Sequence, residues 1–383
     1  MSKNTAIEIL NCISTVLKTH DSNELKNKYF SLMADESTNI KNICEMTIII
    51  RFVTDCGKIR EFFLCIVELS STNAQTITET IDRKLKKRGL DYSKLISLGF
   101  DGAANFSGSI TGVRKRLSEI AHREIPYIHC RTHLLSLALT SARNKYVSIK
   151  RTLQVVKDIY KLFHKSAKRE KIFHDIQEAI NEKKLKIPET IDTRCSRQIV
   201  ENENKMKSLK EAKQFVDTMI EQMQLRFNEK SLEIIKLSTL FESFESLIKI
   251  VEEDILKICL YFPSLEPTNV WIDLNSFKYV ANSLIEENVK NPLSYIYKAN
   301  IGYANLKKLA ECLMCVSVST ATAERSFSTM NRIMNKIRNR MGQETLQSCM
   351  KINTEGPSEL DEDTVNEVID LYARQKHRRI RLI

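Results

Sequence analysis

The spacing of apolar and polar positions changes along the chain, and the changes mark out elements. Tyr29-Phe-Ser-Leu-Met-Ala-Asp35 is an apolar run short enough for a buried strand. Met46 to Asp55 is apolar and β-branched, Cys56-Gly57 marks a turn, and Ile59 to Leu69 resumes the pattern, which predicts a hairpin. Thr72-Asn73 predicts the cap of a helix through Lys87, with Ile77, Thr80, Ile81 and Leu85 at helical spacing. Leu95 to Phe100 is a further buried strand, closed by Asp101-Gly102. A helix over about Gly108 to Ile120, a short strand near Tyr127 to Cys130 and a helix from Thr132 complete the series. Antiparallel strands followed by strand–helix–strand crossovers predict a mixed sheet covered by helices, an α/β fold.

From about residue 145 to 305 the spacing is helical and charged, as in Phe215, Met219, Met223 and Phe227, with breaks at Pro188 and at Phe262 to Pro267. Glycine agrees with this division. Six of the nine glycines lie at or before Gly112, and none falls between Gly112 and Gly302, as suits a stretch that never needs a positive φ. The last 60 residues carry a second amphipathic segment, Val365 to Ala373.

Composition narrows the class. With 42% hydrophobic and 28% charged residues among 383, the chain can bury a sizeable core, and collagen, disulfide mini-proteins and wholesale disorder are excluded. A net charge of +11 suits a polyanionic partner. Ten scattered cysteines, mostly in apolar segments, read as reduced core thiols. No apolar run reaches the roughly 20 residues of a spanning helix, and Met1 to Leu10 has no secretory pattern. The expectation is an intracellular protein that avoids membranes, with a nuclear location suited to the basic charge and to Lys376-His377-Arg378-Arg379.

Two acids stand at strand ends, Asp35 in Met33-Ala-Asp35-Glu-Ser-Thr-Asn39 and Asp101 in Gly99-Phe-Asp101-Gly-Ala-Ala-Asn105. In a sheet of this order the first and fourth strands are commonly neighbours, which would set both carboxylates on one rim. Paired carboxylates repel unless a divalent cation neutralises them, and hard oxygen ligands suit Mg²⁺ or Mn²⁺. Asp is equally a favoured turn and cap residue, so both readings stand on pattern alone. From Glu324 to Met341, a helical wheel puts Phe327, Met330, Ile333, Met334, Ile337 and Met341 on one face, either core or dimer surface. Arg325, Arg332 and Lys336 cluster opposite, where they could touch phosphates or simply be solvated. Cys130-x-x-His133 and Cys312-x-x-Cys315 each have half a zinc site's spacing, but the second pair lies in an apolar helix and structural zinc is not expected.

Four ordered motifs resemble hAT-superfamily DNA transposases, especially zinc-finger proteins with a domesticated transposase body. They are Asp35-Glu-Ser-Thr38, Gly99 to Gly108, His129-Cys-Arg-Thr-His133-Leu-Leu-Ser-Leu, and Ser319-Thr-Ala-Thr-Ala-Glu324-Arg-Ser-Phe-Ser328. The resemblance implies a ribonuclease-H-like mixed sheet interrupted by a large helical insertion. Its parts would be an N-terminal helical remnant (1–24), a first core segment (25–145), the insertion (146–299), last core helices with a dimerisation region (300–375), and a basic tail (376–383). It implies Asp35, Asp101 and Glu324 as catalytic acids holding two Mg²⁺ or Mn²⁺ ions, with His129, Cys130 and His133 lining the site. DNA would be touched by Arg194, Arg325, Arg332 and Lys336, and Phe327, Met330, Ile333 and Ile337 would serve dimerisation. Two departures bear on activity. Where such transposases carry a Trp after Asp-Thr-Arg, thought to stack on a flipped base, this chain has Cys195, and Cys cannot supply a large π face. Only Cys12 precedes Asp35, so no zinc finger is expected ahead of the body. The reading is a transposase-derived protein that dimerises and binds DNA, with an active Mg²⁺-dependent transposase as the alternative.

Overall fold

A computed structural model describes residues 2–108, 110–164, 171, 205–227, 232–299, 302–335 and 340–375. The chain opens with α1 (Lys3–Leu25), begun by a Ser2 side chain that accepts the Thr5 N–H. There follow β1 (Phe30–Thr38), β2 (Cys44–Val53), β3 (Ile59–Glu68), α2 (Ala74–Lys87), β4 (Leu95–Phe100), α3 (Ala104–Ser107), α4 (Val113–Ile120) and β5 (Tyr127–His129). The sheet runs β3-β2-β1-β4-β5, antiparallel on the β3-β2-β1 side and parallel where β1 meets β4 and β4 meets β5. The β2–β3 hairpin turns at Thr54 to Lys58, with Gly57 at φ +69°, and Asn73 caps α2 through the Thr76 N–H.

Contacts divide the chain into two units, residues 131–230 and the remainder. The helical stretch expected as one insertion over 146–299 is thus shared between them, since residues 231–299 group with the sheet. The smaller unit holds α5 (Arg131–Lys145), α6 (Val147–His164) and α7 (Lys205–Arg226), where the Tyr146 hydroxyl donates to the Gln214 carbonyl at 2.8 Å.

In the larger unit, residues after 231 form α8 (Glu233–Thr239), α9 (Phe244–Ile248), α10 (Glu252–Cys259), α11 (Pro267–Glu286) and α12 (Pro292–Lys298). Then come α13 (Ala304–Cys315), α14 (Ala321–Ile333), α15 (Gln343–Glu355) and α16 (Glu362–Arg374). Strand residues alternate between the faces, and each face has its own core. Phe30, Leu32, Ile48 and Ile50 pack with Ile77, Ile81, Val113 and Leu117, from α2 and α4. Met33, Ile49, Phe63 and Ile66 pack with Phe327, Met330, Leu346 and Met350, from α14 and α15.

Several sequence expectations are corrected here. Asp35 does not end β1, because polar pairs Ser37↔Glu45 and Thr38↔Cys44 extend the ladder three residues further. The helix expected from Gly108 starts at Val113, after a turn through Gly108 and Gly112. The helix expected through Met341 ends at Ile333, where Met334 turns extended (φ −94°, ψ 104°) yet stays buried in the same core. Phe327 and Met330 belong to that core and Ile333 packs partly buried against it, so none of the three offers a free dimer surface. Lys336, Ile337, Arg194 and Cys195 lie outside the described residues.

The N-terminal helix is bound to the C-terminal region by buried charge. Lys351, 1% exposed, pairs with Asp21 and with Glu355 (3.1 Å), while Arg60 pairs with Asp21 (2.8 Å), Glu355 (3.1 Å) and Glu24. Glu355 also accepts the Phe63 N–H from β3, and the Gln343 side-chain amide donates to the Ile66 carbonyl at 3.1 Å.

Candidate carboxylate site at the rim of the sheet

Parallel pairing of β1 and β4 puts Asp35 and Asp101 on neighbouring strands at one rim, with Met33 opposite Gly99. Period-two alternation gives Asp35 the same face as Met33, which packs on α14, and α14 carries Glu324 in its first turn. Asp35 Oδ1 accepts the Glu36 N–H at 2.9 Å, and Asp101 Oδ1 accepts the Ala103 N–H at 3.0 Å. Asp101 and Glu324 both lie within electrostatic reach of Asp35. Burial first, then the charges of Asp101 and Glu324, push the Asp35 carboxyl up to about 7, against the opposing Glu36 N–H bond.

A fourth acid joins them. Glu36 is held above the usual carboxylate range by burial and by Asp101, although the Cys44 thiol donates to it at 3.7 Å. It sits on the opposite face of β1 from Asp35, beside it in the same acidic motif, which was the available sequence signal.

The supports of this rim come from two motifs distant in sequence. His129, at the end of β5, donates from Nε2 to the Asp101 carbonyl at 2.8 Å. Its ring occupies the space a side chain at 102 would need: a Cβ there would lie 2.1 Å from the imidazole, and Gly102 has φ +86°. Only glycine suits that position. Cys130 is buried, and its Sγ accepts the Thr320 N–H at 3.3 Å, just before α14 begins. The Ser97 hydroxyl, paired with Ser31 at 2.8 Å, accepts the Ser317 N–H at 3.3 Å. On the other side, Glu61 binds Arg51 (2.7 Å) and the Thr322 hydroxyl. The segment leading to Glu324 is therefore fixed to β4 and the end of β5 before the helix starts, and to β3 in the helix's first turn. His133 lies in the smaller unit, whereas Cys312 and Cys315 are buried in α13, where burial raises both thiols and keeps them neutral.

The chemistry of this donor set fits a hard divalent cation. It offers carboxylate oxygens only, and the neighbouring charges that bear most on Asp35, those of Asp101, Glu324 and Glu36, are all acidic. Among the described residues, no three His, Cys, Asp or Glu side chains are drawn tightly enough together to form a ligand cage. Arg325 and Arg332, on the same helix as Glu324, are exposed and line a separate cleft.

A five-stranded mixed sheet with acids on one rim, closed by a helix from far down the chain, defines an RNase-like α/β body. Comparison with protein families finds two matches, the first of which agrees with this fold. Residues 1–112 match the ZMYM1/FAM200 RNase-like domain, and residues 276–355 match the hAT family C-terminal dimerisation region. Both matches are consistent with an hAT-derived, transposase-like protein. No described helix is long and apolar enough to cross a membrane.

Proposed function

We propose that this chain is a transposase-derived protein that forms a homodimer and binds DNA in the nucleus, with Asp35, Asp101 and Glu324 holding Mg²⁺ or Mn²⁺ at the DNA backbone. The observation that carries this reading is the Asp35 carboxyl, pushed up to about 7 by burial and two neighbouring acids, an arrangement that a cation relieves. Bound divalent ions would supply charge stabilisation to the attacking and leaving oxygens of a phosphodiester. The chain's own residues hold the acids: the Glu36 and Ala103 amides fix Asp35 and Asp101, His129 fixes the Asp101 backbone, and Cys130 holds the approach to Glu324.

The same cluster favours a second reading, that strand cleavage itself survives. Mg²⁺-dependent nicking of DNA carrying transposon ends would then fall at least roughly a hundredfold in Asp101→Ala, as expected when a metal-holding carboxylate is lost. Equal activity in both proteins, or none in either, sinks the catalytic reading and leaves dimerisation and DNA binding standing.

For dimerisation, what supports a particular surface is elimination. Among the described residues of 276–355, Tyr279 (81% exposed) and Val318 are the large apolar side chains that face solvent. Tyr279 lies two turns from exposed Ile272 on α11, so the two share a helix face. In sedimentation or light scattering, the unmodified chain is expected at twice the chain mass and the Ile272→Glu/Tyr279→Glu variant at one. A monomeric parent chain would refute the homodimer, and a dimeric variant would refute this face.

A further inference from the structure

Outside the carboxylate rim, β3, α14 and α15 enclose a cleft of about 530 Å³. We infer that this cleft takes the sugar-phosphate backbone of one nucleic-acid strand, held by Arg325 and Arg332. This rests on the DNA reading above and adds to it a second, separate contact.

The argument starts from which charges in the cleft are already neutralised. Its two acids are engaged inside the protein: Glu61 with Arg51 and Thr322, and Glu355 with Lys351, Arg60 and the Phe63 N–H. Its two arginines are not so engaged. Arg325 donates one Nη2 bond to the Thr322 hydroxyl at 2.7 Å, and Arg332 does the same to Thr329 at 2.9 Å. Neither has an acidic partner among the described residues. Each guanidinium is thus steadied by a threonine one turn earlier while most of its five donors remain for a ligand. The Asn353 side chain adds a neutral polar group to the opposite wall.

Spacing then selects the ligand class. Seven residues separate the arginines on one helix face, a rise of about 10 Å. One phosphate cannot bridge that distance, whereas successive phosphates of a strand can. The cleft volume is that of a small-ligand site, in the range of roughly 300–1,000 Å³, too small for a duplex to enter whole. Half-exposed Ile59 gives the cleft an apolar edge against which a base or sugar can rest.

The test is fluorescence anisotropy with a labelled single-stranded oligonucleotide over a salt series. Arg325→Gln/Arg332→Gln is expected to weaken binding at least tenfold. It should also flatten the log–log salt dependence by roughly 1.4, from about 0.7 per lost contact on a single strand. Lys249→Gln/Lys257→Gln removes the same charge from two exposed lysines that do not line the cleft, and should leave the salt slope nearly unchanged. Both arginines are exposed, so an unchanged melting midpoint will show that the variant is folded. Equal weakening by the two double variants would overturn the cleft assignment while leaving DNA binding intact. Displacement of the oligonucleotide by AMP at matched phosphate concentration would assign the cleft to a free nucleotide and overturn the strand. Failure of the unmodified chain to bind any nucleic acid would remove the DNA reading as well.

Discussion

Lys351→Met is expected to destabilise the larger unit by about 3–5 kcal/mol, the usual cost of removing one partner from a buried ion pair. Lys351 is 1% exposed and its ammonium lies between Asp21 and Glu355, whose side chains are 4% and 9% exposed. Methionine fills much the same volume, so the loss is electrostatic: two carboxylates remain in a poorly solvated space with Arg60 as their remaining partner. Burial already holds the Glu355 carboxyl above its usual range despite Lys351, and removing the ammonium raises it further. The deficit should therefore shrink in mild acid, where a carboxyl of the variant takes up a proton, and Asp21→Asn in the same chain should recover part of it. Denaturant midpoints at two pH values measure both effects. A midpoint within experimental error of the parent at neutral pH would show that the cluster contributes no net stability.

The second large effect belongs to Asp35. Its carboxyl titrates at about 7 in the folded chain and near the ordinary value of 3.8 once unfolded. Between those values the folded state holds a proton that the unfolded state has released, so stability falls as pH rises through this window. A full shift of this size is on the order of 4 kcal/mol; with Asp35 only partly buried and solvent screening included, about 2 kcal/mol is expected. Asp35→Asn should consequently raise the neutral-pH melting midpoint by roughly 5 °C, at about 2–4 °C per kcal/mol for a body of this size. Millimolar Mg²⁺ should stabilise the parent chain at about pH 8, leave it unchanged at about pH 5, and leave Asp35→Asn unchanged at both. Stabilisation of Asp35→Asn by Mg²⁺ equal to that of the parent would place the cation elsewhere.

The strand series and the adjacency of β1 and β4 could be read from the sequence because apolar runs and turn residues report local geometry directly. The extension of β1 past Asp35 could not, since Ser37 and Thr38 enter the ladder without an apolar signature. A helical wheel found the face shared by Phe327, Met330 and Ile333 but could not say what covers it; the cover is Met33, Ile49, Phe63 and Ile66 of the same chain. Nor does periodicity register that Met334 can leave the helix and still be buried. Asp21 and Lys351 are 330 residues apart, and each alone reads as a solvated charge on an amphipathic helix. Of the site supports, Gly102 was visible as a glycine beside an acid, but its reason, the His129 ring, comes from β5 and needs the fold. Cys130 read as half of a metal motif or as core. Its thiol accepts the backbone amide at Thr320, a contact that no spacing rule contains.

Strand β3 stands at the edge of the sheet, and its Phe62-Phe63-Leu64-Cys65-Ile66-Val67 run is a sequence that would readily recruit another strand. The side chains at the two ends of α15 occupy that edge: Glu355 takes the Phe63 N–H and Gln343 gives to the Ile66 carbonyl. The helix thereby does the work of a sixth strand without being one, satisfying edge groups that would otherwise template aggregation. Protection from self-templated assembly is in this way encoded some 280 residues downstream of the strand it guards, a separation set by the Phe63 and Ile66 bonds. Until α15 has been synthesised and has docked, the nascent sheet is an open template.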